Sequence, residues 1–331
     1  MNPPSPSRSA RTAACAALAL ASLILTPLVG AVPLDFSLVL AGDPTQASVF
    51  WTLRLPRVLL AAMTGATLAA SGAAFQAVFR NDLASPFTLG LASGASLGAV
   101  IAIHLGLTGT LLGFSPLPIA AFIGALTVVF SVFSIIRSLG SRGDASTILL
   151  AGVTISFLCS ALILLLQYLS DMTGTNRMIR WMMGGLDTVG YEALWQSGPL
   201  VVAGLAFLIA RATTLNHLMM GDLLAASRGI RVGRERALVL LAGSMAAGAV
   251  IAFTGPIGFV GLIVPHTARR IVGSDHRWLV PTSLLLGAAF LPVCDMVART
   301  IIAPSELPVG ILTALLGAPF FLVLLVQGKV R

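Results

Sequence analysis

The chain contains few sets of residues that could carry out covalent chemistry. A P-loop that binds ATP needs a lysine followed by Ser or Thr after a glycine-rich loop. The only lysine, Lys329, is followed by Val330. The sequence has no Ser/His pair, carboxylate pair or His/Glu metal spacing, and its four histidines are dispersed. These observations exclude ATP hydrolysis by P-loop chemistry and rank an intramembrane enzyme lowest among the function classes.

One carboxylate lies inside an apolar stretch. Asp295 precedes Arg299 by four residues, and a carboxylate within a membrane segment is a functional candidate by default. Side chains four residues apart on a helix are neighbours, so an ion pair within one helix is the simpler explanation. His266 follows Pro265, and as a lone histidine we expect it to be structural and not a metal or haem ligand.

Composition places the chain in a membrane. Of its 331 residues, 57% are hydrophobic and 10% are charged, whereas soluble domains are about 25% charged. A net charge of +8 would suggest nucleic acid as the partner of a soluble protein. In a membrane protein it indicates basic cytoplasmic loops instead. We therefore expect a lipid bilayer, and no nucleic acid, as the environment of this chain.

Ten apolar segments predict an all-α polytopic membrane protein with about ten transmembrane helices. If residue 1 is cytoplasmic, five of the 20 basic residues lie outside and 15 inside, with both termini cytoplasmic. The external five are Arg54, Arg57, Arg177, Arg180 and Arg299. The segments are 13–32, 57–79, 86–106, 117–137, 146–169, 192–210, 236–254, 259–270, 278–298 and 308–327.

The N-terminus divides into two parts. Residues 1–12 are rich in Pro and Ser and are predicted to be a disordered cytoplasmic segment. Residues 13–331 form a single transmembrane domain. The first apolar segment follows Arg8 and Arg11, as in a signal peptide. Its length and the polytopic chain behind it favour an uncleaved first helix.

Two connections interrupt otherwise continuous apolar sequence. Pro256 and Pro265 lack the amide that a helix requires, and Gly255 permits a tight turn. At membrane depth such backbone is tolerated only inside protein or beside a polar cavity. A similar break at 80–86 follows the second apolar segment. The second and seventh segments, which precede the two breaks, are predicted to cross the membrane in opposite directions. The pattern predicts a weak inverted repeat, as in many transporters.

The longest cytoplasmic connection, residues 211–235, contains a helix-like stretch from Leu215 to Ser227, and Gly229 is a plausible helix end. This connection could lie on the membrane surface, form a solvated loop or dock onto a cytoplasmic partner. A stand-alone secondary transporter is an alternative function. It would need buried ionisable groups for ion coupling, and the apolar segments nearly lack them.

Four blocks of sequence carry a resemblance to a known family. They are LRLPR at 53–57, RNDLASP at 80–86 with LGLASGA at 89–95, GPIGFVGLIVPHTARR at 255–270 with VGSDHR at 272–277, and ELPVGILTALLGAPFF at 306–321. Over about residues 13–327 the chain resembles the permease subunit of type II ABC importers, the iron-siderophore, haem and vitamin B12 permease family. Asp82 is a departure, because the family usually has Pro there.

The resemblance implies a vitamin B12 permease-like fold in the bacterial inner membrane. Its partners would be a second permease subunit, the same or homologous, two ABC ATPase subunits and a substrate-binding protein. ATP and Mg would be bound by the ATPases, and this chain would bind no cofactor or metal. A ferric siderophore is the first expected cargo, with haem or cobalamin as the alternative.

The resemblance also assigns roles to residues. Arg54, Arg57 and Arg299 would dock acidic groups of the binding protein, although anchoring to headgroups or helix ends explains each one as well. Ser146 and Thr147 would belong to a cytoplasmic gate or, more simply, begin a helix, and helices five and ten would line the path. Asp222 and Arg228 would pair across an ATPase contact. The full set of coupling residues is Gly221, Asp222, Leu223, Leu224, Ala225, Ala226, Arg228 and Gly229.

Overall fold

The computed structural model describes residues 7–30, 32–110, 113–139 and 145–327. Its regular elements in these ranges are helices, packed side by side as a bundle. The α-helices are α1 Arg8–Leu25, α2 Phe36–Leu40, α3 Pro44–Ser48, α4 Leu55–Phe79, α5 Leu91–His104, α6 Pro116–Leu139, α7 Ala145–Leu169, α8 Met172–Met182, α9 Glu192–Ala210, α10 Ala212–Met219, α11 Asp222–Ser227, α12 Val232–Thr254, α13 Val260–Val272, α14 His276–Ala298 and α15 Val309–Val326.

The prediction of about ten membrane-crossing helices is confirmed. Within the described ranges, seven segments are long and apolar enough to cross a membrane. The shorter apolar helices α5 and α15 and the half-length α13 bring the number to ten. Each predicted apolar segment overlaps one of these helices. The additional short helices, α2, α3, α8, α10 and α11, lie in the connections.

Helix α4 is the most deeply buried of the long helices and packs against α9, α12, α13 and α14. Its sequence is rich in Ala, Gly and Ser, which let helix backbones approach closely where lipid offers no hydrophobic driving force. A Cβ on Gly72 would overlap the carbonyl oxygen of Gly261 in α13. A Cβ on Gly65 would likewise overlap the carbonyl oxygen of Gly287 in α14.

Helix α4 also defines the two ends of the bundle. Arg57 lies in its first turn and Arg80 caps its last, about 35 Å apart at 1.5 Å per residue. Below, the end that contains Arg57 is called the Arg57 end. The opposite end, where α11 lies beside Arg80, is called the α11 end.

The predicted inverted repeat is visible in the backbone. Helix α4 and the shorter α5 form one pair, and α12 and the shorter α13 form the other. Each long helix is capped by a residue with positive φ, Arg80 at 50° and Gly255 at 65°. A second such residue precedes each short helix, Gly90 at 80° and Phe259 at 65°. The two pairs run in opposite directions, because α4 ends at the α11 end and α12 begins there.

The N-terminal prediction needs a correction. Helix α1 begins at Arg8, so residues 8–12 are helical and not disordered. The Ser7 hydroxyl caps this helix. The Arg11 guanidinium donates to the Ile271 carbonyl at 2.7 Å, and the Thr12 and Thr282 hydroxyls lie 3.1 Å apart. These contacts with the α13–α14 region cannot be predicted from the composition of residues 1–12. Residues 1–6 lie outside the described ranges.

The stretch from Leu215 to Ser227 is not one helix. Helix α10 ends at Met219 and α11 begins at Asp222, because Gly221 between them has φ +109° and ψ 155°, outside the helical region. Helix α8 was not predicted, because its sequence, MTGTNRMIRWM, is amphipathic and only 11 residues long. A π-helical turn, Val49–Arg54, also extends α4 beyond its predicted start.

The close approach of α4 and α13 predicts a large effect of adding one methyl group. In Gly72→Ala the new Cβ collides with backbone of α13, and overpacking costs about 1–3 kcal/mol. We therefore expect a clearly lower thermal midpoint of the detergent-solubilised protein, measured by size-exclusion chromatography after heating. Gly198→Ala in α9 is the matched control, since nothing lies within 4 Å of its Cβ position. Equal midpoints for the two variants would contradict the packing described here.

Candidate functional site

A buried ion pair lies at the Arg57 end. Arg57 donates from Nε and Nη2 to the carboxylate of Asp295, near the end of α14, at 2.9–3.1 Å. Asp295 is fully buried. The remaining nitrogen, Nη1, points toward the surface. It lies 2.7 Å from Oε2 of the half-exposed Glu306 and 3.7 Å from the exposed Asp187. Arg57 therefore connects a buried carboxylate with two carboxylates at the surface.

The other two predicted docking arginines are buried beside this pair. Arg54 donates from Nη1 to the carbonyls of Pro27 and Leu28 at 3.2 Å, and from Nη2 to the carbonyl of Val32. Arg299 donates to the carbonyl of Thr26. Both arginines thus hold the segment that connects α1 and α2. Their predicted contact with a binding protein stays a prediction.

The predicted pair between Asp295 and Arg299 is present, with Arg299 Nε 3.8 Å from Asp295 Oδ2. It is nevertheless secondary to the contact with Arg57, which is shorter and uses both carboxylate oxygens. Asp295 therefore joins two helices more strongly than it stabilises its own.

The three arginines line one open cavity of about 450 Å³. Asp187 and Glu306 line its mouth, and Asp295 lies behind Arg57. Three guanidinium groups and three carboxylates give this site a formal charge of zero. The sequence had predicted a cationic surface here. The structure instead brings the cations together with acidic partners from the α8–α9 connection, α14 and the α14–α15 connection.

The predicted coupling residues form a short helical projection at the α11 end. Gly221, at φ +109°, and Gly229, at φ +80°, bracket α11. The amide of Gly229 donates to Ala226 and that of Ile230 to Ala225, at 2.9 and 3.2 Å, so Gly229 ends the helix as predicted. Ala225 is buried against the bundle, and Arg228 and Ala226 are exposed.

The tip of this projection is apolar. Leu223 is 88% exposed and Leu224 is 58% exposed, so two large side chains stand away from the bundle on a six-residue helix. Burying one leucine is worth about 1.5–3 kcal/mol. The chain leaves this surface uncovered within the described residues, as expected if a partner covers it.

The acidic residue of α11 is half-exposed and forms ion pairs within the chain. Asp222 lies 3.1 Å from Nη2 of Arg236 in α12 and 3.4 Å from Nη2 of Arg80 at the end of α4. It therefore fixes α11 to two long helices. Of the two residues proposed to pair across a partner contact, Asp222 is therefore already paired within the chain, whereas Arg228 is exposed and has no ion pair among the described residues.

Further polar contacts tie the same end together. Arg269 in α13 donates to Asp82 at 2.6 Å and to Gln76 at 2.8 Å. Asp82, the residue that departs from the family pattern, thus joins the two halves of the repeat. Asn216 in α10 donates to Asp275 at 2.7 Å. The Arg277 guanidinium, bonded to Asp275, holds the pKa of that carboxyl well below its usual range.

The predicted gate residues lie in the first turn of α7. Ser146 and Thr147 are helical, but the Ser146 side chain lies outside what the structure describes. Less than two turns further on, a Cβ on Gly152 would touch the backbone of Thr88 and Leu89, in the connection between α4 and α5. The start of α7 is thus close to one repeat break, and the gate assignment stays a prediction.

Comparison with known proteins decides the family. Residues 18–327 match the model of the FecCD transport family. The chain belongs to the FecCD transport family. The resemblance seen in the sequence is confirmed, and with it the coarse function of an integral membrane permease subunit.

Individual relatives support the same assignment. The cobalamin import system permease of Halobacterium salinarum is 44% identical over 306 residues, which is 91% of this chain and 78% of the relative. The hemin transport system permease of Yersinia pestis is 39% identical over 283 residues, 85% and 84% of the two chains. A solved structure described as a metal-chelate type ABC transporter in an inward-facing conformation has a TM-score of 0.84 and 32% identity. The match covers 96% of this chain and 98% of that one.

The buried ion pair generates a stability prediction. In Asp295→Ala the cations Arg57 and Arg299 remain buried near an empty position, and breaking such a pair from one side costs about 3–5 kcal/mol. We expect a large fall in the thermal midpoint of the solubilised protein. Asp187→Ala is the control, because its carboxylate is 86% exposed and surface substitutions change stability by about 0.5 kcal/mol or less. Equal thermal midpoints for the Asp295 and Asp187 variants would contradict this prediction.

Proposed function

We propose that this FecCD-family permease is the membrane subunit of an ATP-driven importer that moves a bulky metal chelate into the cytoplasm. The observation that carries the proposal is the family match across nearly all the spanning helices. The missing P-loop supports ATP hydrolysis on separate subunits, which would also bind the ATP and Mg. In this proposal the protein resides in the bacterial inner membrane.

Arginine distribution supports one orientation. Ion pairs with Asp275, Asp222, Glu235 and Asp82 put Arg8, Arg80, Arg211, Arg236 and Arg269 at the α11 end. Among the described residues, the arginines of the Arg57 end are the five predicted to lie outside. Since basic residues concentrate on the cytoplasmic side, the α11 end faces the cytoplasm and the Arg57 end the periplasm. Helices α1 and α15 then place both chain ends toward the cytoplasm.

A second permease subunit would complete the assembly. Helices α7 and α15, the fifth and tenth spans, leave large apolar side chains uncovered in the single chain, such as Phe157 at 73% and Leu315 at 64% exposure. Lipid can cover such faces, so exposure alone does not select a protein partner. The family expectation that these two helices line the path favours a second permease, identical or homologous, against them.

At the periplasmic end, the binding protein would dock over the charged cavity. Arg57 Nη1 is the accessible part of this site, and Glu306 occupies it at 2.7 Å. An acidic side chain of the binding protein would replace Glu306 on this nitrogen in a charge-assisted hydrogen bond. Arg54 and Arg299 would act by holding the cavity wall, since both are buried and donate to backbone carbonyls within the chain.

At the cytoplasmic end, an ABC ATPase would receive the α11 projection. Leu223 and Leu224 would fill an apolar pocket, and the contacts of Asp222 with Arg80 and Arg236 would transmit its displacement to α4 and α12. The two bracketing glycines supply the backbone turns that let a six-residue helix stand out from the bundle. Ser146 and Thr147, at the start of α7, would contribute to the gate on this side.

The cargo class follows from what the relatives share. Their names refer to cobalamin, hemin and metal chelates, which are all bulky metal complexes. A ferric siderophore belongs to the same chemical class. We propose a metal chelate as the cargo, with the ferric siderophore first and haem or cobalamin as alternatives.

Uptake by cells that express the complete system tests this proposal. Ferric siderophores, hemin and cyanocobalamin are supplied in turn, with the partner ATPase either intact or lacking its P-loop lysine. We expect accumulation of one chelate class, and loss of that accumulation with the inactive ATPase. Uptake that persists without ATP hydrolysis and collapses with the proton gradient would identify a secondary transporter instead.

Glu306 offers a test of docking. Glu306→Gln removes the carboxylate that competes for Arg57 Nη1, and an exposed ion pair is worth up to about 1 kcal/mol. We expect the binding protein to bind up to about fivefold more tightly, measured by surface plasmon resonance on the permease in nanodiscs. Glu192→Gln, another exposed glutamate in the periplasmic half, should leave the affinity unchanged. Weaker binding by the Glu306 variant would contradict the competition.

A further inference from the structure

The arginines at the α11 end fall into two groups. Arg80, Arg211, Arg236, Arg269 and Arg277 each form an ion pair with an aspartate or glutamate of this chain. Arg228, Arg231 and Arg234 are exposed and form no side-chain hydrogen bond or ion pair within the described part of the chain. These last three follow α11 directly, and they are called the arginine cluster below. Arg270, in the last turn of α13, is likewise exposed and has no ion pair within the described residues, but it is not part of this cluster.

The nearby carboxylates do not neutralise this cluster. Asp222 is held by Arg80 and Arg236, and Glu235 lies 3.5 Å from Arg211. Asp82 and Asp275 are likewise used by Arg269 and Arg277. Among the described residues, every acidic group of the α11 end therefore has a cation of its own.

The position of the cluster is electrostatically unfavourable for the isolated chain. Arg231 is the N-cap of α12, and Arg234 lies in the first turn of that helix. The N-terminal end of a helix carries a partial positive charge and favours anions. Glu235 lies in the same turn but pairs with Arg211. Two guanidinium groups at this position, with a third three residues before them, therefore create a positive surface that no carboxylate of the described residues pairs with.

The cluster lies next to the exposed leucines of α11. Arg228 is the C-cap of α11, so the cationic surface begins where the apolar tip ends. A partner that buries Leu223 and Leu224 consequently meets the arginines at the same time. Arginine is suited to this contact, because its planar guanidinium binds a carboxylate through two parallel hydrogen bonds.

We infer that the ATPase pocket that receives α11 is apolar at its base and lined by carboxylates at its edge, which pair with Arg228, Arg231 and Arg234. This inference rests on the proposed ATPase contact and adds the chemistry of the partner surface. A protein pocket explains the surface better than a lipid layer. Helices that lie on membranes often have 20–30 residues with a continuous apolar face, whereas α11 has six residues.

The test uses the ABC ATPase that co-purifies with this permease from its native membrane. Its affinity for the permease in nanodiscs is measured at about 50 and 300 mM salt. We expect the triple variant Arg228→Gln, Arg231→Gln, Arg234→Gln to bind at least tenfold more weakly at low salt, and the difference from wild type to shrink at high salt, where exposed charges are screened. The double variant Arg177→Gln, Arg180→Gln is the control, because these arginines are also exposed and have no ion pair with any residue that the structure describes, but belong to α8.

A second variant, Leu223→Ser with Leu224→Ser, separates the two proposals. Loss of binding by the leucine variant but not by the arginine variant overturns the charged pocket and leaves ATPase docking intact. Unchanged binding by both variants overturns the ATPase contact at α11 itself. If the arginine variant keeps the ATPase but loses co-purifying phosphatidylglycerol, the cluster is a lipid surface and the inference is wrong. Thermal midpoints equal to wild type ensure that each variant is folded.

Discussion

The ion pair between Arg57 and Asp295 is the interaction on which the arrangement of the bundle most depends. A charge at membrane depth is tolerated when it is paired, and this pair joins the first turn of α4 to the last turns of α14. It therefore fixes how far these two helices are shifted along each other, about two turns from the position where Gly65 and Gly287 let their backbones meet. Arg54 and Arg299 extend the same constraint to the connection after α1.

Helix α4 carries that constraint to the opposite end of the molecule. Arg80 at its last turn contacts Asp222 of α11, and Asp82 just beyond contacts Arg269 of α13. The helix is buried along its length by small residues, so it behaves as a rigid element and not as a flexible connection. A displacement of α11 by a partner would thus be transmitted to both halves of the inverted repeat, which is the mechanical requirement for ATP-driven transport.

The sequence correctly predicted the features that depend only on residues close together in the chain. Hydropathy located ten spans, and Gly255 and Pro256 marked a break, because both signals are read within one short window. The partner of Asp295 could not be predicted in this way, since Arg57 lies 238 residues away. The pairing of Asp222 with Arg80 and Arg236 and the burial of Arg54 also depend on tertiary contacts. Helix α8 was missed because an amphipathic helix of 11 residues has no membrane-length signal.

The central claim is that α11 is the contact through which an ATPase acts on this permease. Maleimide labelling of Leu223→Cys tests it directly, because the native cysteines Cys15, Cys159 and Cys294 are buried. Adding the ATPase should slow labelling of this position strongly, and leave the labelling of Trp195→Cys, an exposed position on α9, unchanged. A labelling rate at position 223 that does not respond to the ATPase would contradict the account.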